Sequence, residues 1–313
     1  MKKTIMLFLK VIILGALGYY IFHDIDLALL LPALREYSWV WLTVAMLSVV
    51  VSDLILALRW RSLSQYSCSL IASFESIVFS VFVNSILPAK LGEVAKLFYL
   101  RKLYGVKLSH GFSLMLTERF FDVLVLGILV VISAQIYWEN PTVQISGWIV
   151  ISLIILLFFL IKSRFSYQLI HWFPTASLRR WLVRLHHHFQ IVLAKESILV
   201  LTFWSVLLWI SYLFTTILFF YAVMGLDLTF AQLFIASMVS FVAFSIPLLP
   251  AGSGTFQAGM IFILMQYGVS KEEALIGSIV LQIIMILPST LISLALLQRK
   301  ELSLKDLMKE NNE

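Results

Sequence analysis

The stretch NSILPAKLGEVAKLFYL, Asn84 to Leu100, follows a run of apolar residues with a proline, a glycine, a glutamate and two lysines. A second stretch, SIPLLPAGSGTFQAG, Ser245 to Gly259, interrupts the apolar sequence much later. Irregular backbone in a membrane is tolerated only where it is buried in protein or faces a water-filled cavity, because hydrocarbon cannot hydrogen-bond to it. The two breaks therefore predict where a polar site is built.

Composition places the chain in a membrane. The 313 residues are 61% hydrophobic and only 13% charged, with a mean hydropathy of +0.98, whereas a soluble protein has about 25% charged residues. The single cysteine, Cys68, excludes an intrachain disulfide and indicates no redox chemistry. No nucleotide-binding loop, zinc motif or nucleophile elbow is found. We therefore expect no cofactor and no metal, and we expect that the protein is not an enzyme.

The predicted fold class is an all-α polytopic membrane protein with about six full spans and two re-entrant broken helices. The full spans are predicted at 4–22, 38–58, 111–137, 145–161, 198–223 and 274–297. Two apolar segments, 73–87 and 230–246, run into prolines and are predicted to be the re-entrant elements; the piece at 255–267 is too short to cross. We predict one membrane domain, 1–298, followed by a polar cytoplasmic tail, 299–313.

The basic residues predict the orientation. Twenty of the 23 lysines and arginines fall in segments that this layout places on one side, including Arg59 and Lys300. The positive-inside rule makes that side cytoplasmic, so both termini are predicted to be cytoplasmic in a cell membrane protein, and the charge of +6 does not indicate nucleic-acid binding. The halves 1–140 and 141–298 then have the same order of elements in opposite orientation, the pattern of an inverted repeat in transporters.

The segment TERFFDVL places Glu118, Arg119 and Asp122 within a predicted span. Glu118 and Asp122 are four residues apart on one helical face, and Arg119 is three residues from Asp122 and can bridge to it. Charges at this depth are costly and persist mostly when they are paired or face a cavity. Two interpretations are open, a structural ion pair between helices and the lining of a polar path, and we favour the second.

The first break predicts an anion site. Pro88 can begin a helix there and Gly105 can end it. A helix N-terminus offers unpaired N–H groups to a phosphate. The residues that we expect to contribute are Asn84, Lys90, Glu93 and Lys96. The alternative is a lysine-rich cytoplasmic loop that only obeys the positive-inside rule, which is our interpretation of the neighbouring Arg101, Lys102 and Lys107.

The second break predicts a flexible turn followed by a short helix. Gly252 and Gly254 permit close approach of a ligand to the backbone, and Thr255 could cap the helix that follows. A simple hairpin between two packed half-helices is the alternative interpretation.

One further segment, SLRRWLVRLHHHFQIVL at 177–193, has the pattern of an amphipathic helix on the cytoplasmic leaflet. Its three consecutive histidines, His186 to His188, point in different directions on a helix, so no metal site is expected there.

Taken together, LPAKLGEVAK, ERFFD and PAGSGTFQ resemble the flippase-like membrane domain of the lysylphosphatidylglycerol synthase family, in the right order over nearly the whole chain. The family patterns run approximately N-x-x-L-P-A-R-x-G-E-x-x-R, E-R-x-x-D and P-x-x-P-G-G-x-G-x-x-E. The matching residues are Asn84, Pro88, Gly92, Glu93, Glu118, Arg119, Asp122, Pro250, Gly252 and Gly254. The resemblance implies the stand-alone membrane version, without a soluble synthase domain, and a role in lipid translocation.

The chain departs from these patterns at four positions. Lys90 and Lys96 stand where the family usually has arginine, which keeps the charge but loses bidentate hydrogen bonding to phosphate. Ala251 replaces a glycine, and Gln257 stands where a glutamate is usual. If that glutamate carries protons or balances a cationic headgroup, the substrate of this chain differs from lysylphosphatidylglycerol.

The functional expectation is a flippase or translocase that moves a phospholipid or lipid-linked anion between leaflets. Its predicted path residues are Asn84, Lys90, Glu93, Lys96, Glu118, Arg119, Asp122, Gly252, Gly254 and Gln257. Membrane lipids are the expected partners and nucleic acid is not; a second copy of the chain and a cytoplasmic synthase remain open as protein partners. The alternative function is a membrane subunit or enzyme of lipid or lipid-linked glycan modification.

Overall fold

A computed structural model of the protein describes most of the chain from residue 37 to residue 300. The described residues are 37–64, 67–87, 90–137, 141–172, 198–246 and 249–300, with Tyr19, Ile21 and isolated positions between 175 and 190. The predicted first span at 4–22, Pro88, most of the amphipathic segment at 177–193 and the tail beyond Lys300 lie outside them.

Every regular element in the described residues is a helix. In chain order the helices are α1 (Trp39–Leu63), α2 (Leu70–Ile86), α3 (Leu91–Tyr104), α4 (Leu108–Tyr137), α5 (Pro141–Lys162), α6 (Arg164–His171), α7 (Ile198–Leu218), α8 (Phe230–Ser245), α9 (Thr255–Gln266) and α10 (Lys271–Arg299). A π-helical turn, Phe219–Val223, extends α7, and a 3₁₀ turn, Pro250–Gly252, precedes α9. The all-α prediction is confirmed.

Four of the described helices are long and apolar enough to cross a membrane: Trp39–Leu63, Leu108–Ile136, Leu199–Val223 and Lys271–Arg299. They match four of the predicted spans to within a few residues. The predicted span at 145–161 lies inside the 22-residue helix α5. The two predicted re-entrant elements are the shorter apolar helices α2 and α8, of 17 and 16 residues. Their re-entrant course and the inverted repeat stay predictions.

Helix ends follow local sequence signals. Gly105, at φ +68°, ends α3 as predicted, and its backbone N–H donates to the carbonyl of Arg101 at 3.0 Å. The Ser270 hydroxyl accepts from the backbone N–H of Glu273 at 3.2 Å, which is one of the two hydrogen bonds of a capping box at the start of α10. Helix α6 was not predicted as a separate element; Ser163 caps it by accepting from the backbone N–H of Phe165.

The chain divides into two compact units. The first unit comprises residues 1–51, 80–92 and 211–294, and its core is an apolar cluster that includes Phe219, Phe220, Phe256, Met260 and Leu281. The second unit comprises residues 52–79, 93–210 and 295–313, and its core includes Trp60, Leu97, Leu100, Leu114 and Phe121. Each unit also buries polar side chains, and these define the candidate sites.

Candidate functional site

The second unit contains a network of six charged side chains. Five of them were predicted site residues, and α3 and α4 carry these five; the sixth is on α1. The members of this ion network are Arg59, Glu93, Lys96, Glu118, Arg119 and Asp122. Three positive and three negative charges make it formally neutral.

Glu118 is the centre of the buried part of the ion network. Its side chain has no exposed surface, its Oε1 lies 3.0 Å from Arg59 Nη2, and its Oε2 lies 2.9 Å from Lys96 Nζ. The Lys96 ammonium also stands 3.7 Å from the centroid of the Trp60 ring, a cation–π contact. Arg59 reaches Ser205 as well, at 3.3 Å. Buried charges are costly unless they are paired and hydrogen-bonded, and here both oxygens of Glu118 are engaged.

Arg119, Glu93 and Asp122 form the accessible edge of the ion network, which we call the rim. Arg119 Nε lies 3.0 Å from Glu93 Oε2, and Arg119 Nη1 lies 3.2 Å from Asp122 Oδ2. The predicted bridge from Arg119 to Asp122 is therefore present. The Arg119 side chain is 42% exposed, against 15% for Glu93 and 14% for Asp122. A guanidinium has five N–H donors, so Arg119 keeps donors for a ligand beyond these two carboxylates.

Sequence reasoning missed Arg59. The sequence placed it among the charges on the cytoplasmic side and gave it no role in the site, yet its side chain is 1% exposed and its Nη1 lies 2.6 Å from Asp122 Oδ1. Arg59 is enclosed and joins α1 to α4. Its place near the end of an apolar helix looks like an ordinary flanking charge, and the acidic partners lie some sixty positions away.

At the first break, Asn84 ties α2 to the start of α3. Asn84 Oδ1 accepts from the backbone N–H of Gly92 at 2.7 Å. A Cβ atom at Gly92 would stand 2.0 Å from the carbonyl oxygen of Ser80, so only glycine fits at this crossing. Lys90, half-buried, immediately precedes α3 with a φ of +54°. That left-handed conformation is uncommon outside glycine and is often found at functional sites.

At the second break, a buried pair of amides holds the turn before α9. Gln257 Oε1 accepts from the backbone N–H of Gly254 at 2.6 Å, and Gln257 Nε2 donates to Gln282 Oε1 at 2.7 Å. Gln282 Nε2 donates in turn to the carbonyl of Ala251 at 2.9 Å and to Ser253 Oγ at 3.2 Å. Gln282, on α10, was not predicted, because nothing near it in the sequence indicates that it belongs to a polar site.

The backbone conformation of the same turn explains why glycines occur in it. Gly252 and Gly254 have φ values of +69° and +82°, as their predicted role in a turn requires, and Ala251 has +53°. The predicted cap was wrong: Gly254 occupies the N-cap position, and Thr255 Oγ1 donates to the carbonyl of Gly252 at 2.9 Å. The Gln257 side chain satisfies the backbone N–H of Gly254, the N-cap residue itself.

A second polar cluster in the second unit was also missed. Glu75 Oε2 accepts from Lys300 Nζ at 2.5 Å, from Tyr104 Oη at 2.5 Å and from Tyr99 Oη at 3.0 Å. Burial and the neighbouring Glu75 carboxylate raise the pKa of Tyr99 and of Tyr104. Burial acts to lower the pKa of Lys300, but the hydrogen bonds with Glu75 and Tyr104 outweigh it and raise that pKa above its usual value. This cluster links α2, α3 and the end of α10.

The fold and the sites define an all-α membrane protein with a buried ion network and a neutral amide pair, each beside a broken apolar segment. A family model described as "Lysylphosphatidylglycerol synthase TM region" matches residues 7–293. The chain belongs to this family, and it is a membrane protein of lipid modification or translocation. A comparison with curated proteins found no match, and neither did a comparison with solved structures.

Proposed function

We propose that the protein is a lipid translocase that moves a phospholipid or a lipid-linked anion between leaflets, with Arg119 as the group that meets the headgroup phosphate. The observation that carries the proposal is the exposure of Arg119 at the edge of an otherwise buried ion network on a helix of membrane-spanning length. Ionisable residues within membrane segments commonly mark substrate paths. A guanidinium matches the geometry of phosphate oxygens, and its charge complements their charge.

Translocation requires a phosphate site that a lipid can leave as well as enter. Glu93 and Asp122 already satisfy part of the Arg119 guanidinium. An arriving phosphate competes with these carboxylates for the Arg119 guanidinium. When the lipid leaves, the carboxylates pair with the guanidinium again. This exchange keeps a cation paired in the empty state, which lowers the cost of holding it in the membrane. The result is moderate affinity, which suits a carrier better than tight binding does.

An enzymatic role is the alternative, as a membrane subunit or enzyme of lipid or lipid-linked glycan modification. A general acid or base must be within hydrogen-bonding reach of substrate. Glu118 is enclosed with both oxygens bound to cations, which favours a structural role for it. Asp122 is slightly exposed, but both of its oxygens also contact arginines. We therefore propose transport rather than catalysis.

The experiment is a translocation assay in liposomes with purified protein. Acyl-chain-labelled phospholipids on the inner leaflet are protected from a membrane-impermeant quencher until they cross. We expect the wild-type protein to expose them, Arg119→Gln to lose most of that activity, and Arg119→Lys to retain part of it. Lys107→Gln is the matched control, since Lys107 is an exposed cation after the end of α3. Equal activity of Arg119→Gln and Lys107→Gln would refute the proposed role of Arg119.

The same preparation separates transport from enzymology. Lipids extracted from the vesicles and analysed by mass spectrometry should be chemically unchanged after translocation. Formation of a modified lipid by the wild-type protein, lost in Asp122→Asn, would favour the enzymatic alternative.

We also propose that both termini are cytoplasmic, on the distribution of basic residues. Single cysteines introduced at Ser109 and Ser270 in a Cys68→Ser background test this. Position 109 should react with an impermeant maleimide only from the cytoplasm, and position 270 only from outside. Labelling of position 270 from the cytoplasm would contradict the proposed topology and the inverted repeat with it.

A further inference from the structure

The rim of the ion network is not a simple cationic site. It contains one guanidinium, Arg119, in direct contact with two carboxylates, Glu93 and Asp122. Arg59 also holds the other oxygen of Asp122 at 2.6 Å, so Glu93 is the rim carboxylate for which the described residues record Arg119 alone as a cation. A ligand that reaches Arg119 therefore meets a carboxylate, Glu93, that shares this one cation.

The remaining positive charge is not available to a ligand. Arg59 and Lys96 balance the network, but their side chains are 1% and 4% exposed, and Glu118, which is bound to both, is completely enclosed. The electrostatic attraction of a buried pair acts mainly on its own partner, because the two opposite charges are in contact. The surface that a headgroup can touch is thus a cation beside anions.

We propose that this rim selects a zwitterionic phospholipid, whose headgroup carries an ammonium next to its phosphate, over a phospholipid with a net negative charge. This inference rests on the proposed function and names the substrate class for the same site. Arg119 receives the phosphate. Glu93, whose Oε2 contacts Arg119, receives the ammonium on its second carboxylate oxygen.

The chemistry of the two groups supports this assignment. Within the described part of the chain, the recorded partner of the Glu93 carboxylate is Arg119, through one oxygen. A carboxylate accepts through about four lone-pair sites on two oxygens, so Oε1 retains capacity for an ammonium donor. An ammonium supplied by the lipid compensates Glu93 when the phosphate draws the Arg119 guanidinium away. A purely anionic headgroup provides no such compensation and leaves a like charge beside the phosphate.

The test measures two lipids in the same vesicles. Purified protein is reconstituted into equal mixtures of phosphatidylethanolamine and phosphatidylglycerol, with a trace of either lipid labelled on its acyl chain. We expect labelled phosphatidylethanolamine to cross about tenfold faster, the ratio that about 1.4 kcal/mol of like-charge repulsion produces. Glu93→Gln should bring the two rates close together, mainly by accelerating phosphatidylglycerol. Glu93→Asp should preserve the preference.

If neither lipid crosses faster than in empty vesicles, the proposed function fails and this inference fails with it. If both cross at the same rate, or phosphatidylglycerol crosses faster, translocation stands and zwitterion selection is overturned. An unchanged ratio in Glu93→Gln would also overturn it. Because Glu93 is partly exposed, size-exclusion chromatography should show the variants monodisperse, and Lys107→Gln should keep the wild-type ratio.

Discussion

Arg59 Nη1 lies 2.6 Å from Asp122 Oδ1, and this contact joins the C-terminal part of α1 to the middle of α4. Arg59 holds Glu118 with its other terminal nitrogen, so one guanidinium compensates two carboxylates. A charge that looks like an orientation signal in the sequence is thus the main structural cation of the ion network.

Removing Arg59 should therefore be more damaging than removing an exposed cation. Arg59→Gln strands buried negative charge, and the loss of one partner from a buried ion pair typically costs about 3–5 kcal/mol. We expect a large fall in the thermal unfolding temperature in detergent. Combining it with Asp122→Asn should cost less than the sum of the two single changes, with a coupling energy of about 0.5–3 kcal/mol. Arg101→Gln, at an exposed position, is the control, and strict additivity would mean that the pair does not interact.

Gly92 should tolerate no side chain. Gly92→Ala puts a methyl group against the backbone carbonyl of Ser80 and against Asn84, neither of which can withdraw without separating α2 from α3. Gly105→Ala is the matched control, since a Cβ there meets open space and the change costs only the left-handed conformation, about 1–2 kcal/mol. The yield of monodisperse protein after solubilisation should fall sharply for Gly92→Ala and slightly for Gly105→Ala. Equal yields would show that the crossing can relax.

The amide pair should set the stability of the second break. Gln282→Leu removes the donor to Ala251 and Ser253 and the acceptor for Gln257, and unsatisfied buried groups of this kind cost about 1–3 kcal/mol each. We expect faster limited proteolysis within the turn that precedes α9. Gln282→Glu keeps the acceptor for Gln257 but loses the donors to Ala251 and Ser253, so it should also accelerate this proteolysis. Proteolysis of the Gln282→Leu protein at the wild-type rate would show that the amide pair does not stabilise this turn.

There is a physical reason why some site residues could be predicted from the sequence and others could not. Glu118, Arg119 and Asp122 could be found because helical periodicity places residues three and four positions apart on one face. The signals for Gly105, Ser270 and the two glycines of the second break are likewise local. Partners such as Lys300 and Glu75 are 225 positions apart, and no periodicity connects them. Tertiary packing decides such contacts, and Gln282 was missed for the same reason.

Because of the cluster around Glu75, the stability of the folded protein should change with pH in the alkaline range. The pKa of Lys300 is raised in the folded protein, so its contribution is complete below the unfolded pKa of about 10.4 and is lost as pH rises through the folded pKa. The difference in unfolding temperature between wild type and Lys300→Gln should be constant from pH 7 to pH 9 and shrink at higher pH. Lys107→Gln should show no such difference at any pH, and a difference that grows with pH would contradict the assignment.

Lys90 tests whether the first break contributes to transport independently of the ion network. We expect Lys90→Gln to slow lipid translocation severalfold and Lys90→Arg to retain most of it, because the positive charge before α3 is kept. Lys90→Gly separates charge from conformation, since glycine adopts the observed φ of +54° without strain. Translocation by Lys90→Gly at the wild-type rate would show that this lysine has no electrostatic role.

The amide pair has a consequence for how the protein responds to voltage. A membrane potential does work on a charge that moves through it, about 2.3 kcal/mol per elementary charge per 100 mV. Gln257 and Gln282 carry no formal charge, and no Asp, Glu, Lys or Arg occurs between Leu249 and Gln257. A displacement of this turn would therefore carry no formal side-chain charge across the potential. We therefore expect depolarisation to leave this turn in place, and a voltage dependence of the proposed transport would come from charges elsewhere or from the lipid itself.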